Sequence, residues 1–145
     1  MKPAEAAARR RAREAALQML YQWEIGRTSP GDTILTYWPA QEDAAPLDEE
    51  HREFANLLVR GTTARVAEID AMLAERAQNW RVERMAVLDR LVLRLATYEM
   101  LSEPATPSRV IINEALELAR QYSGDEAVAF VNGVLDGVRK HLGRE

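Results

Sequence analysis

The opening residues of the chain concentrate basic side chains in a short segment. Five of the first thirteen residues are basic, namely Lys2, Arg9, Arg10, Arg11 and Arg13. Together with the single acid Glu5 they give this segment a net charge of +4, whereas the other 132 residues carry −8. A positive segment on an otherwise acidic chain indicates a local anionic partner rather than a generally basic surface.

The chemistry open to this segment is electrostatic. On a helix, Arg9, Arg10 and Arg13 share one side at spacings i, i+1 and i+4, and Arg11 points elsewhere. Guanidinium groups arranged in this way can neutralise nucleic-acid phosphates and release their counterions. The alternative is a solvated helix terminus, although basic residues there oppose the helix dipole and a purely structural start would favour acids. Lys2 lies on a terminus that could become ordered on RNA.

Two aromatic residues follow on the same predicted helix. Tyr21 lies three turns beyond Arg10 and nearly in line with it, where it could stack under an unpaired base for ~1–3 kcal/mol. It could equally be half-buried against a neighbouring helix or a partner protein. Trp23 falls on the apolar stripe and is expected to pack in the core.

A second group of charged residues lies on a predicted helix in the C-terminal half. Arg90 and Arg94 are four residues apart and are expected to point away from the apolar face, either as surface cations or paired with Asp89 and nearby acids. Glu99 falls on the apolar face, so it is expected to be a buried carboxylate with a hydrogen-bonding or ionic partner. An acid–base role would need a second catalytic group and a pocket, and the sequence offers neither.

The rest of the sequence excludes several classes of protein. There is no cysteine, which excludes disulfides, thiolate catalysis and cysteine zinc sites. The two histidines, His51 and His141, are each expected to stand alone, and no phosphate loop or nucleophile triad is present. The longest apolar run has five residues, whereas a membrane helix needs ~20. We therefore expect a cytoplasmic protein that is not an enzyme, with no cofactor, metal or membrane partner.

Helical periodicity extends along nearly the whole chain, and no stretch alternates as a strand would. In the N-terminal half we predict a helix from about Ala4 to Ile25 with Gly26 as its C-cap. A short helix capped by Asp32 follows, and then a long helix from about Asp48 to Ala77 that bends near Gly61.

The C-terminal half is predicted to begin with a junction, Trp80 to Val87, that contains a short helical turn. Helices are then predicted from about Leu88 to Ser102 and from Pro107 with Thr106 as N-cap, followed by a last helix that starts with a capping box of Ser123 and Glu126 and runs to about Lys140. Gly133 and Gly137 form a smooth strip, which favours close approach of another helix or docking of a partner chain.

Several stretches together resemble the NusB family of bacterial transcription antitermination factors. They are DRLVLRLATYEML, PSRVIINEALELARQY and FVNGVLDGV in the C-terminal half, with MKP, RRRAR and LYQWE at the start. The resemblance runs from end to end and is weakest over residues 26–80. The INEALELA and FVNGVLD pair at this spacing is specific, whereas the arginine cluster alone is not.

The resemblance implies an all-α fold of about seven helices, arranged as two three-helix bundles packed across one another. It implies one domain, residues 1–145, with halves of about 1–80 and 81–145. It also implies binding of the single-stranded boxA element of ribosomal RNA leaders together with NusE, a small-ribosomal-subunit protein. The protein and NusE would act in the antitermination complex of RNA polymerase and support processive transcription of ribosomal RNA operons.

The residue patterns and the resemblance together assign roles to individual residues. The expected RNA contacts are Lys2, Arg9, Arg10, Arg13, Tyr21, Arg94 and Phe130. The expected partner contacts are Tyr21, Asp89 and Glu126. Two assignments have alternatives: Phe130 could be a core residue, and Asp89 could accept a hydrogen bond from a base amino group instead of from a protein.

Two other functions stay open on the sequence. The same fold occurs as the N-terminal domain of a ribosomal-RNA cytosine methyltransferase, so the chain could be an RNA-targeting module that assists ribosomal-RNA modification. It could also be a self-associating helical interaction protein, and a homodimer is possible in any case. The first alternative predicts RNA binding with no gain from NusE, and the second predicts a dimer whose affinity ignores the arginines.

Overall fold

The structure, a computed structural model, describes residues 1–41, 46–77 and 81–145. Every regular element in these ranges is helical, which confirms the all-helical prediction. The α-helices are α1 (Pro3–Gly26), α2 (Pro30–Tyr37), α3 (Glu49–Ala64), α4 (Val66–Arg76), α5 (Val87–Ser102), α6 (Ser108–Tyr122) and α7 (Glu126–His141), with 3-10 turns at Trp38–Ala40 and Val82–Arg84. They divide into two compact units, Met1–Ala64 and Arg65–Glu145.

The first helix, α1, is set up by local sequence. Pro3 occupies its first turn, where a missing backbone N–H costs nothing, and the alanine-rich sequence that follows favours a helix. Its buried face includes the predicted Ala12, Ala16, Met19 and Leu20, and also Ala15 and Leu17. Because the helical wheel places Leu17 beside the arginines, the buried face is wider than predicted.

Both ends of the loop after α1 differ from the predictions by a few residues. The left-handed residue that ends α1 is Arg27, with φ 55°, and its N–H donates to the carbonyl of Trp23. Gly26 is the last residue of the helix, so the predicted glycine cap is wrong by one position. The cap of α2 is Ser29, whose hydroxyl accepts from the backbone N–H of Asp32 at 3.1 Å, and Asp32 itself lies inside the first turn.

The first unit is a three-helix arrangement in which α1, α2 and α3 all contact one another. Its core is built from apolar side chains of all three, including Leu20, Ile34 and Leu58, each at most 8% exposed. This packing fixes α1 along α3, and it therefore positions the basic residues at the start of α1.

The predicted long helix is two helices. The chain leaves helical geometry at Arg65, with φ −110° and ψ 20°, four residues after the expected bend at Gly61. The helix after this break, α4, belongs to the second unit, although the expected halves divided near residue 80. The predicted junction begins at Trp80, which lies outside the described residues, and its expected helical turn is present at Val82–Arg84.

In the second unit α5 contacts α4, α6 and α7. All seven residues from 91 to 97 are buried, so this helix has hardly any exposed side along its middle. The next helix begins at Ser108 with Pro107 as its N-cap, one residue later than predicted. None of the helices in the described ranges is long and apolar enough to cross a membrane.

Two predictions for the last helix have different outcomes. A Cβ added at Gly137 would lie 3.3 Å from Cδ of Arg76, whereas one added at Gly133 would meet no atom of the described residues within 4 Å. The close approach is therefore confirmed at Gly137 and absent at Gly133. The capping box is wrong, because the hydroxyl of Ser123 donates to the carboxylate of Asp89 and α7 has no side-chain cap.

Candidate nucleic-acid interface

Four basic residues at the start of α1 are exposed or half-buried, and three of them, Lys2, Arg9 and Arg10, are here called the arginine surface; the fourth, Arg11, is exposed on another side of the helix. Lys2 is the exposed N-cap residue, Arg10 is exposed and Arg9 is half-buried. Arg9 and Arg10 also make polar, ring or electrostatic contacts within the protein. A phosphate would therefore compete with those contacts or add to them.

The ring of Phe54, on α3, supports the arginines of α1. The guanidinium carbon of Arg9 lies 4.1 Å from the ring centroid, and that of Arg13 lies 5.7 Å from it. A cation held over an aromatic face is stabilised by ~0.5–1 kcal/mol at an exposed site and by more when it is desolvated. Because Phe54 itself is half-buried, this contact restricts where Arg9 can point.

Arg13 differs from its neighbours in exposure. The helical wheel places it with Arg9 and Arg10 on one open side, but only 4% of the residue is exposed. The expectation of an open Arg13 is wrong, because α3 packs along this side of α1. Its role as a phosphate contact stays a prediction, and that contact requires the side chain to move.

A histidine that the sequence left without a partner joins the two helices at this site. His51 is 5% exposed, and its Nδ1 lies 2.6 Å from Oδ1 of Asp48, while its Nε2 lies 2.9 Å from Oε1 of Glu5. Asp48 also accepts from the backbone N–H of His51 at 3.0 Å, and so satisfies a free donor at the start of α3. The prediction that His51 stands alone is therefore wrong.

The ionisation of this group follows from its contacts. Hydrogen bonds from the ring, first to Glu5 and then to Asp48, raise the pKa of His51 above its ordinary 6.5. The backbone N–H of His51, and then its ring, lower the pKa of Asp48 below its ordinary 3.8. The two carboxylates bind opposite ring nitrogens, so they do not converge as metal ligands would, and no metal-binding cluster is found among the described residues.

Two other predicted residues of α1, Tyr21 and Arg11, lie outside the contacts made by Phe54 and His51. Tyr21 is 43% exposed, so its ring is open to a base or to a partner protein, and its role stays a prediction. Arg11 lines a separate cavity of about 160 Å³ in the first unit, with Trp38 and Arg52 among its other walls. The prediction that Arg11 points away from the other arginines is confirmed.

Arg94, a predicted RNA contact, is buried in an ion pair with Asp70 in the second unit. Its Nε and one terminal nitrogen donate to the two carboxylate oxygens of Asp70, both at 2.8 Å, and the residue is 7% exposed. The expectation that Arg94 points away from the core is wrong, because α4 covers that side of α5 and supplies the carboxylate. This bidentate pair occupies the guanidinium edge that a phosphate would need.

The remaining predicted residues of the second unit differ in burial and in the contacts they make. Asp89 is half-buried and bonded to Ser123, Glu126 is exposed at the start of α7, and Phe130 is half-buried one turn further on. Their roles toward RNA or a partner stay predictions. Glu99 is 1% exposed and has a polar or electrostatic interaction within the protein, which confirms the expected buried carboxylate.

Comparisons with known proteins give a consistent result. The sequence model of the NusB family matches residues 10–140. The chain is 45% identical to a transcription antitermination protein NusB from Koribacter versatilis, over 94% of this chain and 92% of that protein. It is also 36% identical to the solved structure of NusB from T. maritima, with a TM-score of 0.80 and coverage of 91% and 90% of the two chains.

A further solved structure is a crystal structure of the antitermination factors NusB and NusE in complex with double-stranded RNA. The chain matches it with a TM-score of 0.83 and 24% identity, over 93% of this chain and 98% of that one. At this identity the likeness concerns the fold.

Proposed function

Because the chain belongs to the NusB family, we propose that it is a transcription antitermination factor that binds RNA through its arginine surface. The RNA is a single-stranded boxA-type element of ribosomal RNA leaders, and NusE binds with it. The factor acts in the antitermination complex of RNA polymerase, in the cytoplasm, without catalysing a reaction.

The observation that carries this proposal is the state of the first turns of α1. Lys2 and Arg10 are exposed, and Arg9 is held over Phe54, so the guanidinium of Arg9 is oriented before any ligand arrives. Preorganised cations lose less conformational entropy on binding a phosphate backbone. The rest of the chain is acidic, which directs an RNA backbone toward this end of α1.

The relatives support the partners in this proposal. Those at 40–47% identity carry the name transcription antitermination protein NusB, and a protein of the same fold was crystallised with NusE and double-stranded RNA. Within the proposal, Tyr21 and Phe130 contact RNA, while Asp89 and Glu126 contact NusE. Arg94 is not included, because its guanidinium is bonded to Asp70.

The test measures RNA affinity as a function of salt. Arg9→Ala together with Arg10→Ala should weaken binding of a labelled boxA-like single strand and flatten the plot of log affinity against log salt. Since each phosphate contact on a single strand contributes about 0.7 to this slope, the loss of two should reduce it by about 1.4. The matched control removes two exposed arginines of the second unit, Arg84→Ala with Arg109→Ala, and should keep the slope.

The outcomes separate the competing functions. A gain in affinity on adding NusE supports antitermination, whereas RNA binding without that gain favours a module for ribosomal-RNA modification. A folded chain with an unchanged slope after loss of Arg9 and Arg10 rejects the arginine surface. A dimer that binds no RNA rejects the proposal and favours the self-associating protein. The same sequence as a duplex, measured in parallel, shows which form of RNA is bound.

A further inference from the structure

Glu5 stands apart in the segment that carries the arginine surface. It is the only acid among the first thirteen residues, and it precedes Arg9 by four positions on α1. A glutamate four residues before an arginine is the favourable order for an ion pair along a helix. Left to itself, Glu5 would therefore compete with a phosphate for Arg9.

The structure directs Glu5 elsewhere. Its carboxylate lies 2.9 Å from Nε2 of His51, so it is bonded to α3 instead of to the next turn of α1. Three residues further along α3, Phe54 holds the guanidinium of Arg9. The acid and the arginine that would pair within α1 are thus each held by a different side chain of α3.

Building on the proposed function, we propose that His51 is a positioning residue for the arginine surface. Its protonated ring keeps Glu5 away from Arg9 and fixes the first turn of α1 against α3. RNA binding and proton uptake by this ring are therefore coupled.

The chemistry of the imidazole requires the proton. Both ring nitrogens of His51 face carboxylate oxygens, which only accept hydrogen bonds, at 2.6 and 2.9 Å. A neutral ring has one N–H and can satisfy one carboxylate, while its other nitrogen places a lone pair against the second. Only the protonated ring donates to both Asp48 and Glu5.

The carboxylates around the His51 ring also favour its protonated form. Glu5 faces it from α1, and Asp48 faces it from the segment that begins α3. The remaining helix of the first unit, α2, has a single charged residue, Asp32, and this residue is exposed. The contacts with Glu5 and Asp48 raise the pKa of His51, so the ring keeps its proton to a higher pH than an ordinary histidine and loses it as pH rises through that raised pKa.

The coupling gives a defined sign. As pH rises and His51 becomes neutral, one carboxylate contact weakens and Glu5 becomes available to Arg9, so RNA affinity falls. By linkage, bound RNA favours the protonated ring and raises its pKa further. Since the competing ion pair is of the weak, exposed type, we expect affinity to fall about two- to fivefold between pH 6 and 8.5.

The experiment measures affinity for a labelled boxA-like single strand at fixed salt from pH 6 to 8.5. The wild-type chain should show the fall, His51→Gln should flatten the profile, and His141→Gln, which changes the exposed histidine of α7, should behave as wild type. Glu5→Gln should also flatten the profile by removing the competitor for Arg9. The same change added to His51→Gln should restore affinity, which a purely structural role of His51 would not produce.

A second readout follows the ring directly. Nuclear magnetic resonance titration of the His51 ring protons should give a higher pKa with RNA bound than without it. Equal pH profiles for wild type, His51→Gln and Glu5→Gln, or an unchanged His51 pKa on adding RNA, overturn the inference alone. If His51→Gln fails to fold by circular dichroism, the profile of Glu5→Gln decides. No RNA binding by the wild-type chain at any pH overturns the proposed function and this inference together.

Discussion

At the scale of single residues, burial and partners decide what each arginine does in this protein. Arg9 lies over an aromatic ring beside solvent, Arg94 is buried in a bidentate pair with Asp70, and Arg65 forms an exposed pair with Glu68. The first can exchange its contact for a phosphate, the second holds two helices together, and the third contributes little. A side chain of one type therefore has three different roles.

Removing Asp70 should test the structural role of Arg94. Asp70→Ala leaves a guanidinium buried without its carboxylate, which should lower the free energy of unfolding by about 3 kcal/mol in urea titrations. Asp70→Leu combined with Arg94→Met should recover most of that loss, because a buried pair replaced by apolar side chains is often neutral. Glu68→Ala, which breaks the exposed pair with Arg65, is the control and should leave unfolding almost unchanged.

This test also separates packing from RNA contact. The Asp70→Leu, Arg94→Met double variant, if folded, should bind RNA with the affinity and salt slope of the wild-type chain. A folded double variant with a flatter slope would restore Arg94 to the RNA contacts.

Sequence patterns predicted some residues and missed others for a physical reason. The position of Glu99 on the apolar face of α5 was sufficient to predict its burial. The prediction of an exposed Arg94 was wrong because an arginine on a helical wheel is assigned to the solvent side. The carboxylate that makes its burial possible, Asp70, is 24 residues away on another helix. For His51, the capping contact from Asp48 was local and visible, whereas Glu5 is separated from it by 46 residues.

At the scale of elements, helix bounds followed from local signals wherever such signals exist. The predicted and observed starts of α5 differ by one residue, and its end at Ser102 agrees. The break between α3 and α4 lies at Arg65, four residues after Gly61 and beside the β-branched residues Thr63 and Val66. Glycine and β-branched residues weaken a helix, so the sequence predicts a departure from helical geometry in this region, while the residue at which it occurs does not follow from propensity.

The two glycines of α7 give a prediction at this scale. Gly133→Ala should raise the free energy of unfolding by about 0.5–1 kcal/mol, because alanine favours the helix and the added methyl meets open space. Gly137→Ala should gain less, since its methyl must displace the side chain of Arg76. Thermal and urea unfolding of the two variants measure the difference, and an equal gain at both positions would contradict the close approach of α4.

The same pair tests the docking alternative for the glycine strip. If a partner chain uses the open surface at Gly133, the alanine variant should weaken partner binding while it stabilises the free protein. Unchanged binding with greater stability would leave Gly133 as an exposed helix position without a role.

At the scale of the whole molecule, the distribution of charge along the chain indicates where the candidate site lies. The chain carries a net charge of −4 and yet begins with a segment of +4, so the sequence alone predicts an anion-binding site in this segment. The side chains that organise the segment, Phe54 and His51, lie on a helix more than 30 residues later. Only the packing of α3 along α1 brings them there, and spacing in the sequence does not encode that packing.

The left-handed conformation of Arg27, at the end of α1, has a practical consequence for measurements of stability and RNA affinity. Arg27 holds φ 55°, a conformation that costs an ordinary residue about 1 kcal/mol and costs glycine almost nothing. Arg27→Gly should therefore raise the melting temperature while it deletes one positive charge about 27 Å along the helix from Arg9. The Arg27→Gly variant would be a more stable background for the binding measurements, and it would also be a control for the loss of a positive charge remote from the ligand. A lower melting temperature would show that the contacts of the Arg27 side chain stabilise the turn by more than the left-handed backbone conformation destabilises it.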